Sequence, residues 1–97
     1  KIKFQDLLFL NGAKELAMSG VMPGGTKRNL KSVEKVVSFS DDLSEIEQLL
    51  SADAQTSGGL LISMPMEDAK SYVKKVNGKT AIIGEITDKK TYLIKVE

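Results

Sequence analysis

The order of the elements in this chain is set by residues 60–86, which read LLISMPMEDAKSYVKKVNGKTAIIGEI. Residues 60–64 are an apolar run that Pro65 ends, and such a run predicts a central strand buried on both faces. The next apolar residues recur at the spacing of one helix face, with acidic residues in the first turn, lysines in the last and Asn77-Gly78 as the stop. A helix is therefore predicted on the positions Ala69, Tyr72, Val73 and Val76.

The segment after this helix predicts a β-hairpin. Residues 80–86 are rich in β-branched and apolar side chains, residues 91–96 alternate, and Asp88-Lys89-Lys90 is a turn between them. The order strand, helix, strand, strand, with helices earlier in the chain, indicates a sandwich of helices on a mixed β-sheet that is either α+β or α/β. Of these two classes, we predict α+β. A length of 97 residues corresponds to one domain, which we expect to span residues 1–97.

Two shorter helices are predicted before residue 54. Residues 13–20 carry apolar positions at helical spacing and end at Gly20, which can adopt the left-handed conformation of a C-terminal cap. Residues 42–50 carry a second helical stripe, and Asp42 and Glu45 have the spacing of a capping box.

The other early segments carry weaker signals. Residues 2–10 fit either a strand or a strand that runs into a helix, because the spacing of their apolar residues does not distinguish the two. Residues 21–29 contain a proline and two glycines and predict an ordered loop. Residues 33–39 predict a short strand with imperfect alternation.

The composition excludes several kinds of site. The chain has no Cys and no His, which rules out disulfides, thiolate nucleophiles, Cys/His zinc sites and Ser-His-Asp triads within it. Its net charge is +1 and its pI is near 8.1, so no strong field would attract nucleic acid or an acidic membrane. No apolar stretch approaches the roughly 18 residues of a membrane span, and the start lacks the apolar run of a signal peptide. We expect a cytoplasmic protein with neither nucleic acid nor membrane as a partner, and a first residue that is Lys rather than Met suggests a trimmed product or a fragment.

Charge changes sign along the chain. Residues 27–40 carry a net charge of +3, and residues 41–53 carry a net charge of −5. We interpret the acidic side chains as a solvated helix face, and no metal site is predicted in this chain. The acidic cluster consists of Asp41, Asp42, Glu45 and Glu47.

The first candidate site is Gly24-Gly25-Thr26 with the basic residues after it. This segment offers unobstructed backbone amides, one hydroxyl and the cations of Lys27 and Arg28, which together suit an anionic group. The same residues also fit a plain chain reversal with solvated cations, since proline and glycine are ordinary turn residues. The spacing of a Walker A phosphate loop is missing. The candidate residues are Gly24, Gly25, Thr26, Arg28 and Asn29.

The second candidate site is residues 53–59, DAQTSGG, which place a carboxylate, an amide and two hydroxyls before a pair of glycines. So many polar groups beside a buried strand need hydrogen-bond partners, which either a ligand or the chain itself must provide. The structural alternative, a helix exit in which Asp53 and Thr56 bond local amides, stays open. Asp53 alone cannot make a metal site, because hard cations need further oxygen ligands. The candidate residues are Asp53, Gln55, Thr56, Ser57, Gly58 and Gly59.

Three blocks of sequence resemble one family. They are residues 20–29 (GVMPGGTKRN), residues 53–62 (DAQTSGGLLI) and residues 82–86 (IIGEI), in this order. Together they look like the C-terminal part of the selenophosphate synthetase (selenide, water dikinase) family, and the likeness runs from about residue 7 to the end. Family members often have Pro where this chain has Ala54, and residues 64–67 match the family's strand-to-helix step only loosely.

The resemblance implies a member of the aminoimidazole ribonucleotide synthetase superfamily that uses ATP, Mg²⁺, selenide and water to make selenophosphate, AMP and phosphate. The product feeds selenocysteine and selenouridine synthesis. In that family the reactive Cys or selenocysteine, the Lys, the glycine-rich segment and the Mg²⁺-binding aspartates lie upstream of these blocks, so none of them maps onto this chain.

The resemblance also implies how this part of the enzyme would work. The C-terminal domain packs against an N-terminal ATP-binding domain across a cleft, and the full enzyme is a homodimer. We therefore expect no catalytic residue and no cofactor in this chain, no turnover of ATP by the chain alone, and both candidate segments as cleft-facing loops.

Two other classes of function stay open at this point. A free-standing small module could bind a phosphorylated metabolite through the two glycine segments. Alternatively, an interaction domain could dock its acidic helix on a basic partner.

Overall fold

The computed structural model describes residues 1–76, 78–88 and 91–97. Within them, helices pack with a small sheet, so the predicted α+β class is confirmed. After a 3-10 turn at Phe4–Asp6, the elements are α1 (Ala13–Met18), α2 (Gly24–Val33), β1 (Val37–Phe39), α3 (Glu45–Ser51), α4 (Met66–Lys75) and β2 (Ile94–Val96).

The sheet is a parallel pair of strands, and the start of the chain is joined to it by isolated bridges. β1 and β2 pair in parallel, with Val37 opposite Ile94. Ile2 forms a parallel bridge to Val96 and an antiparallel bridge to Gly84. The amide of Ile2 donates to the Lys95 carbonyl at 2.7 Å. The first residues of the chain therefore lie between β2 and the segment around Gly84.

Gly84 is needed for this arrangement because of space. A Cβ built on Gly84 would collide with the carbonyl oxygen of Lys1 and would lie 3.0 Å from the Cα of Ile2. Both neighbours are backbone atoms, which cannot rotate away as a side chain can. Glycine inside a strand-like segment often marks such a close backbone approach.

The predicted hairpin is wrong in the described residues. β2 pairs with β1 and bridges Ile2, and the segment 80–86 contributes only the Gly84 bridge to the sheet. The start of the chain occupies the place between the two segments that local turn chemistry would have paired. Lys89 and Lys90 of the predicted turn, and Asn77 of the predicted helix stop, lie outside the described residues.

The predicted buried strand at residues 60–64 is also wrong. These residues belong to no helix or strand, and Leu60 and Leu61 are 90% and 77% exposed. An apolar run indicates that its side chains favour burial. A strand also needs a neighbouring strand with which its backbone can pair. Among the described residues, no such neighbour is present.

The three helix predictions are confirmed, the one over residues 42–50 with a later start. α1 ends just before Gly20, which has φ +84°, the left-handed conformation expected of a glycine at a helix end. α4 has Glu67 and Asp68 in its first turn and Lys74 and Lys75 in its last turn, an arrangement that the helix dipole favours at both ends.

The capping box of α3 lies two residues later in the sequence than predicted. The box is formed by Ser44 and Glu47: the Glu47 amide donates to Ser44 Oγ at 3.3 Å, and the Ser44 amide donates to Glu47 Oε2 at 2.8 Å. The hydrogen bond from the Ser44 hydroxyl, followed by that from its amide, holds the pKa of Glu47 below its usual range. Asp42 instead accepts a hydrogen bond from the Ser40 hydroxyl at 3.3 Å, outside the helix. Both pairs have the same spacing in the sequence, so spacing alone could not choose between them.

The loop predicted over residues 21–29 is wrong in its second half, where α2 begins at Gly24. Pro23 is the residue that caps the start of the helix, and its missing N–H costs nothing there because the first amides of a helix have no intrahelical partner. Thr26, Leu30 and Val33 follow the spacing of one helix face and are buried or half-buried. α2 extends to Val33. The strand predicted over residues 33–39 is therefore shorter and consists of Val37–Phe39.

The core is small and centres on the sheet and the helices beside it. Its buried apolar residues are Phe4, Ala17, Leu49 and Val96. The rings of Phe4 and Phe9 have centroids 5.5 Å apart, and Lys14 Nζ lies 5.2 Å and 4.9 Å from them, within the range of a cation–π contact. In the part of the chain that the structure describes, no helix has the length and apolar character to cross a bilayer.

Candidate functional site

The two candidate segments meet where the first turn of α2 packs beside the end of α3. Thr26 is fully buried, and its hydroxyl donates a hydrogen bond to Asp53 Oδ1 at 2.8 Å. Asn29 Nδ2 donates to the carbonyl oxygen of Ala52 at 3.2 Å. We call this contact the α2–α3 junction; it consists of Thr26, Asn29, Ala52 and Asp53. It satisfies the buried hydroxyl and ties together segments that are far apart in the chain.

Gly25 allows the two segments to approach closely. A Cβ built on Gly25 would lie 3.0 Å from the Cβ of Ala54, which is tighter than ordinary van der Waals contact. Arg28 Nη2 lies 4.0 Å from the same point. The guanidinium group of Arg28 is therefore next to the start of the second candidate segment.

The start of α2 is electropositive. Its first turn has no acidic residue, and Lys27 and Arg28 are both exposed. The N-terminus of a helix already carries a partial positive charge, so cations there do not stabilise the helix. Arg28 folds back over this end, with Nη1 3.9 Å from the position of a Gly24 Cβ.

The second candidate segment leaves the junction as an exposed stretch outside any helix or strand. Its first residue, Asp53, is half-buried and held by Thr26. A Cβ on Gly58 would lie 2.7 Å from Gln55 Oε1, the mobile end of a side chain. The exposed candidate residues are Gln55, Thr56, Ser57, Gly58 and Gly59.

The chain is similar to several proteins that are named selenide, water dikinase. The chain is 44% identical over 89 residues to a selenide, water dikinase of Aliarcobacter butzleri, and the match covers 88% of this chain and 26% of the relative. It is 47% identical over 74 residues to one of Myxococcus xanthus, covering 73% of this chain and 21% of the relative. It is 38% identical over 91 residues to one of Caldanaerobacter subterraneus, covering 90% of this chain and 26% of the relative.

Over the part of their length that it matches, the chain belongs to the selenide, water dikinase family. It spans about a quarter of the length of these relatives. No family model matches the chain, and no solved structure gives a significant match. The resemblance noted from the three sequence blocks is thereby confirmed.

In this selenide, water dikinase segment, the hydrogen bond of Asp53 goes to a residue that the sequence did not suggest. The structural alternative paired Asp53 and Thr56 with local amides, whereas Asp53 accepts from the distant Thr26. Ala52 and Ala54 also take part in the contact, through a carbonyl oxygen and a methyl group. Neither contribution has a sequence signal, because any residue has a carbonyl and alanine is common in cores.

The described residues do not fit a metal site. Among residues 1–76, 78–88 and 91–97, no three acidic side chains lie together in a way that could hold an ion. Two open clefts of about 490 Å³ and 560 Å³ lie elsewhere, one beside Phe9 and Thr80 and the other beside Lys1 and Tyr92. None of the candidate residues lines either cleft.

Proposed function

We propose that this chain is the C-terminal domain of a selenophosphate synthetase, the enzyme that makes selenophosphate from selenide, ATP and water. In this proposal residues 1–97 are one domain, which packs against an N-terminal ATP-binding domain in the cytoplasm. The support is the similarity to selenide, water dikinases across most of the chain and the small share of their length that it spans.

The observation that carries the proposal is the α2–α3 junction. It fixes Asp53 and Ala52, so that the exposed polar residues 55–57 leave from a defined point, beside the Arg28 guanidinium. Phosphoryl transfer depends mainly on positioning and on stabilisation of negative charge. A polar segment anchored beside a cation has the parts needed for one wall of a cleft that receives an anion.

Arg28 is the residue of this wall that we assign to an anionic group. It lies at the N-terminal end of α2, where the dipole and the free amides of Gly24 and Gly25 also favour negative charge. Because a cation at this end does not stabilise the helix, a functional role is a better reason for its position. Thr56 and Ser57, with the glycines after them, form the part of the wall that closes on the cleft.

The metal and the reactive groups belong to the rest of the enzyme in this proposal. The described residues bring no set of carboxylates together that fits Mg²⁺. The resemblance implies that the Mg²⁺-binding aspartates and the reactive Cys or selenocysteine lie outside this chain. What residues 1–97 contribute is the binding and orientation of an anion.

The test uses a chimera in which this chain replaces the matching segment of the Aliarcobacter butzleri relative. Selenide-dependent consumption of ATP is measured for Arg28→Ala and Thr56→Ala, with Lys35→Ala and Thr87→Ala as exposed controls of the same chemical types. Loss of one charge-assisted hydrogen bond, about 1.5 kcal/mol, corresponds to a roughly tenfold lower rate for Arg28→Ala. Unchanged rates and affinities in both test variants would remove the site assignment.

A second measurement separates this proposal from the free-standing module. Calorimetry of the isolated chain with ATP, AMP and phosphate is expected to give no binding heat at micromolar concentration. Clear micromolar binding would favour a module that binds a phosphorylated metabolite on its own.

A further inference from the structure

The turn that leads into α1 contains an asparagine directly before a glycine. Asn11 and Gly12 are both exposed, and Asn11 lines the open cleft of about 490 Å³. The turn is held by a backbone hydrogen bond, in which the Ala13 amide donates to the Leu10 carbonyl at 3.1 Å. Gly12 has φ +83°, the left-handed conformation that glycine supplies in tight turns. Water therefore reaches both residues.

The polar groups of this dipeptide are free to react. Among the described residues, the Gly12 amide donates no hydrogen bond, and the Asn11 side chain takes part in none. A Cβ built on Gly12 would have nothing within 4 Å, so the space beside the glycine is open. The Gly12 nitrogen and the Asn11 side-chain amide are therefore both accessible.

An asparagine before a glycine can react with the backbone of its own chain. The Gly12 nitrogen forms a bond to Asn11 Cγ, the bond between Cγ and Nδ2 breaks, and Nδ2 leaves as ammonia with the proton that the Gly12 nitrogen gives up. Water then opens the cyclic imide at one of its two carbonyl carbons, which gives aspartate or isoaspartate. One water is consumed, one ammonia is released, and the chain gains one negative charge at neutral pH.

Asn29 is the internal comparison, because its surroundings hold it in place. Its Nδ2 donates to the Ala52 carbonyl at 3.2 Å, and the nitrogen that would attack belongs to Leu30, inside α2. Ring closure at Asn29 requires α2 to open at this point, whereas at Asn11 only the turn has to open. Local opening of an exposed turn costs far less free energy than opening of a packed helix. The structure therefore distinguishes the two asparagines.

Isoaspartate at this place would weaken the start of α1. In isoaspartate the main chain runs through the former side chain, which adds one carbon between Asn11 Cα and Gly12. The hydrogen bond of the turn depends on the ordinary spacing of the backbone. The helix that follows carries the buried Ala17 and also Lys14, which contacts two aromatic rings.

We propose that Asn11-Gly12 is a site of spontaneous deamidation in the folded chain, with water as the co-reactant, and that its isoaspartate product loosens α1. The product changes both the charge and the backbone at the start of a helix that packs on α3. This inference does not depend on the proposed enzymatic function, because it needs only the chain and water.

The first test follows deamidation by mass spectrometry in an Asn77→Gln background, in which Asn11 is the only asparagine before a glycine. The chain is incubated folded or in urea and then cleaved after glutamate, so that residues 1–15 report Asn11 and residues 16–34 report Asn29. At Asn11 the rate in the folded chain should lie within about tenfold of the rate in urea. At Asn29 the folded chain should react about a hundredfold or more slowly than the chain in urea.

Asn11→Gln is the matched control. Glutamine keeps the side-chain amide but would have to form a larger ring, so the peptide of residues 1–15 should react far more slowly. The rate at Asn11 should also rise with pH, because the attacking nitrogen must lose its proton.

The second test compares the stability of the product. Aged chains with the additional negative charge are separated by ion exchange, and isoaspartate is identified by its resistance to an endoproteinase that cleaves before aspartate. Their midpoint of urea unfolding should be lower than that of Asn11→Asp, which carries the same charge on an unaltered backbone.

Three results would overturn the proposal. One is a folded chain in which Asn11 does not react although it reacts in urea. Another is equal protection of Asn11 and Asn29 by the fold, which would mean that the turn opens no more readily than α2. An isoaspartate form with the same urea midpoint as Asn11→Asp would overturn the loosening of α1.

Discussion

The buried hydroxyl of Thr26 donates a hydrogen bond to Asp53 Oδ1 at 2.8 Å and so joins the first turn of α2 to the residue that follows α3. Both residues belong to conspicuous glycine-containing blocks of the sequence. In the folded chain the hydroxyl of one and the carboxylate of the other are hydrogen-bond partners. The segment of exposed polar residues therefore starts from a residue that is joined to the first turn of α2.

Removal of this hydroxyl should destabilise the chain. Thr26→Val keeps the shape of the side chain but leaves a half-buried carboxylate without its donor, and we expect a loss of about 1–3 kcal/mol of unfolding free energy. Urea denaturation followed by circular dichroism measures it. Thr87→Val is the control, since Thr87 is exposed, and its effect should stay within about 0.5 kcal/mol. Equal effects of the two substitutions would mean that the hydrogen bond adds nothing.

The two neighbouring glycines of α2 should respond differently to alanine. Gly25→Ala places a methyl group 3.0 Å from the Cβ of Ala54, and we expect it to destabilise by roughly 1–3 kcal/mol. Gly24→Ala meets only the end of the flexible Arg28 side chain, so it should be neutral or stabilise by up to about 1 kcal/mol. Chemical denaturation of both variants gives the comparison. If Gly24→Ala is the more harmful of the two, the packing of α2 on Ala54 is not as described.

The bridge between the start of the chain and residue 84 should not tolerate a side chain at Gly84. Gly84→Ala would force a methyl group against the Lys1 carbonyl and the Ile2 backbone, and we expect a loss of at least about 1–3 kcal/mol. Gly59→Ala is the matched control, because nothing lies within 4 Å of its Cβ position. Thermal and urea unfolding of the pair measure the difference. A Gly84→Ala protein as stable as the Gly59→Ala protein would contradict the antiparallel bridge between Ile2 and Gly84.

The capping box of α3 should make part of the stability depend on pH. Glu47 has a pKa below its usual range because of Ser44, so its contribution is present above the ordinary pKa of a glutamate, about 4.3. It is lost as the pH falls through the lower pKa of the folded state. Ser44→Ala should destabilise by about 1 kcal/mol at pH 7, and the difference from the unmodified chain should shrink in acid.

Unfolding free energies of Ser44→Ala and of the control Ser63→Ala, measured between neutral pH and pH 3, test this expectation. Ser63 is exposed and lies outside the helices, so its substitution should have a small effect that does not change with pH. A difference for Ser44→Ala that grows in acid would reverse the expected sign and contradict the role of Glu47.

Local signals were sufficient for the fold class and for three helices, of which α3 starts later than predicted. α1 and α4 have periodic apolar positions and clear ends, such as Gly20, and the structure has them close to the predicted places. α2 was missed because Pro23 and the glycines indicate a turn, while the helical spacing of Thr26, Leu30 and Val33 includes a polar residue in the core. The capping box was displaced by two residues because two pairs share one spacing.

Contacts between distant segments could not be read from the sequence. The place of Ile2 between β2 and Gly84 depends on the whole fold, and local chemistry favoured a hairpin instead. Similarly, Thr26 and Asp53 were both selected as candidate residues, but nothing in either block indicated that they contact each other. The run after Gly59 was predicted as a strand from its apolar character, and its partner is missing from the described residues.

A double-mutant cycle between Thr26 and Asp53 tests most directly whether the two glycine-containing blocks form one structural unit. Unfolding free energies are measured for Thr26→Val, Asp53→Ala and the double variant. If the hydrogen bond joins the blocks, the double variant should be less destabilised than the sum of the single variants, with a coupling of about 0.5–3 kcal/mol. Additive effects, within roughly 0.3–0.5 kcal/mol, would contradict it.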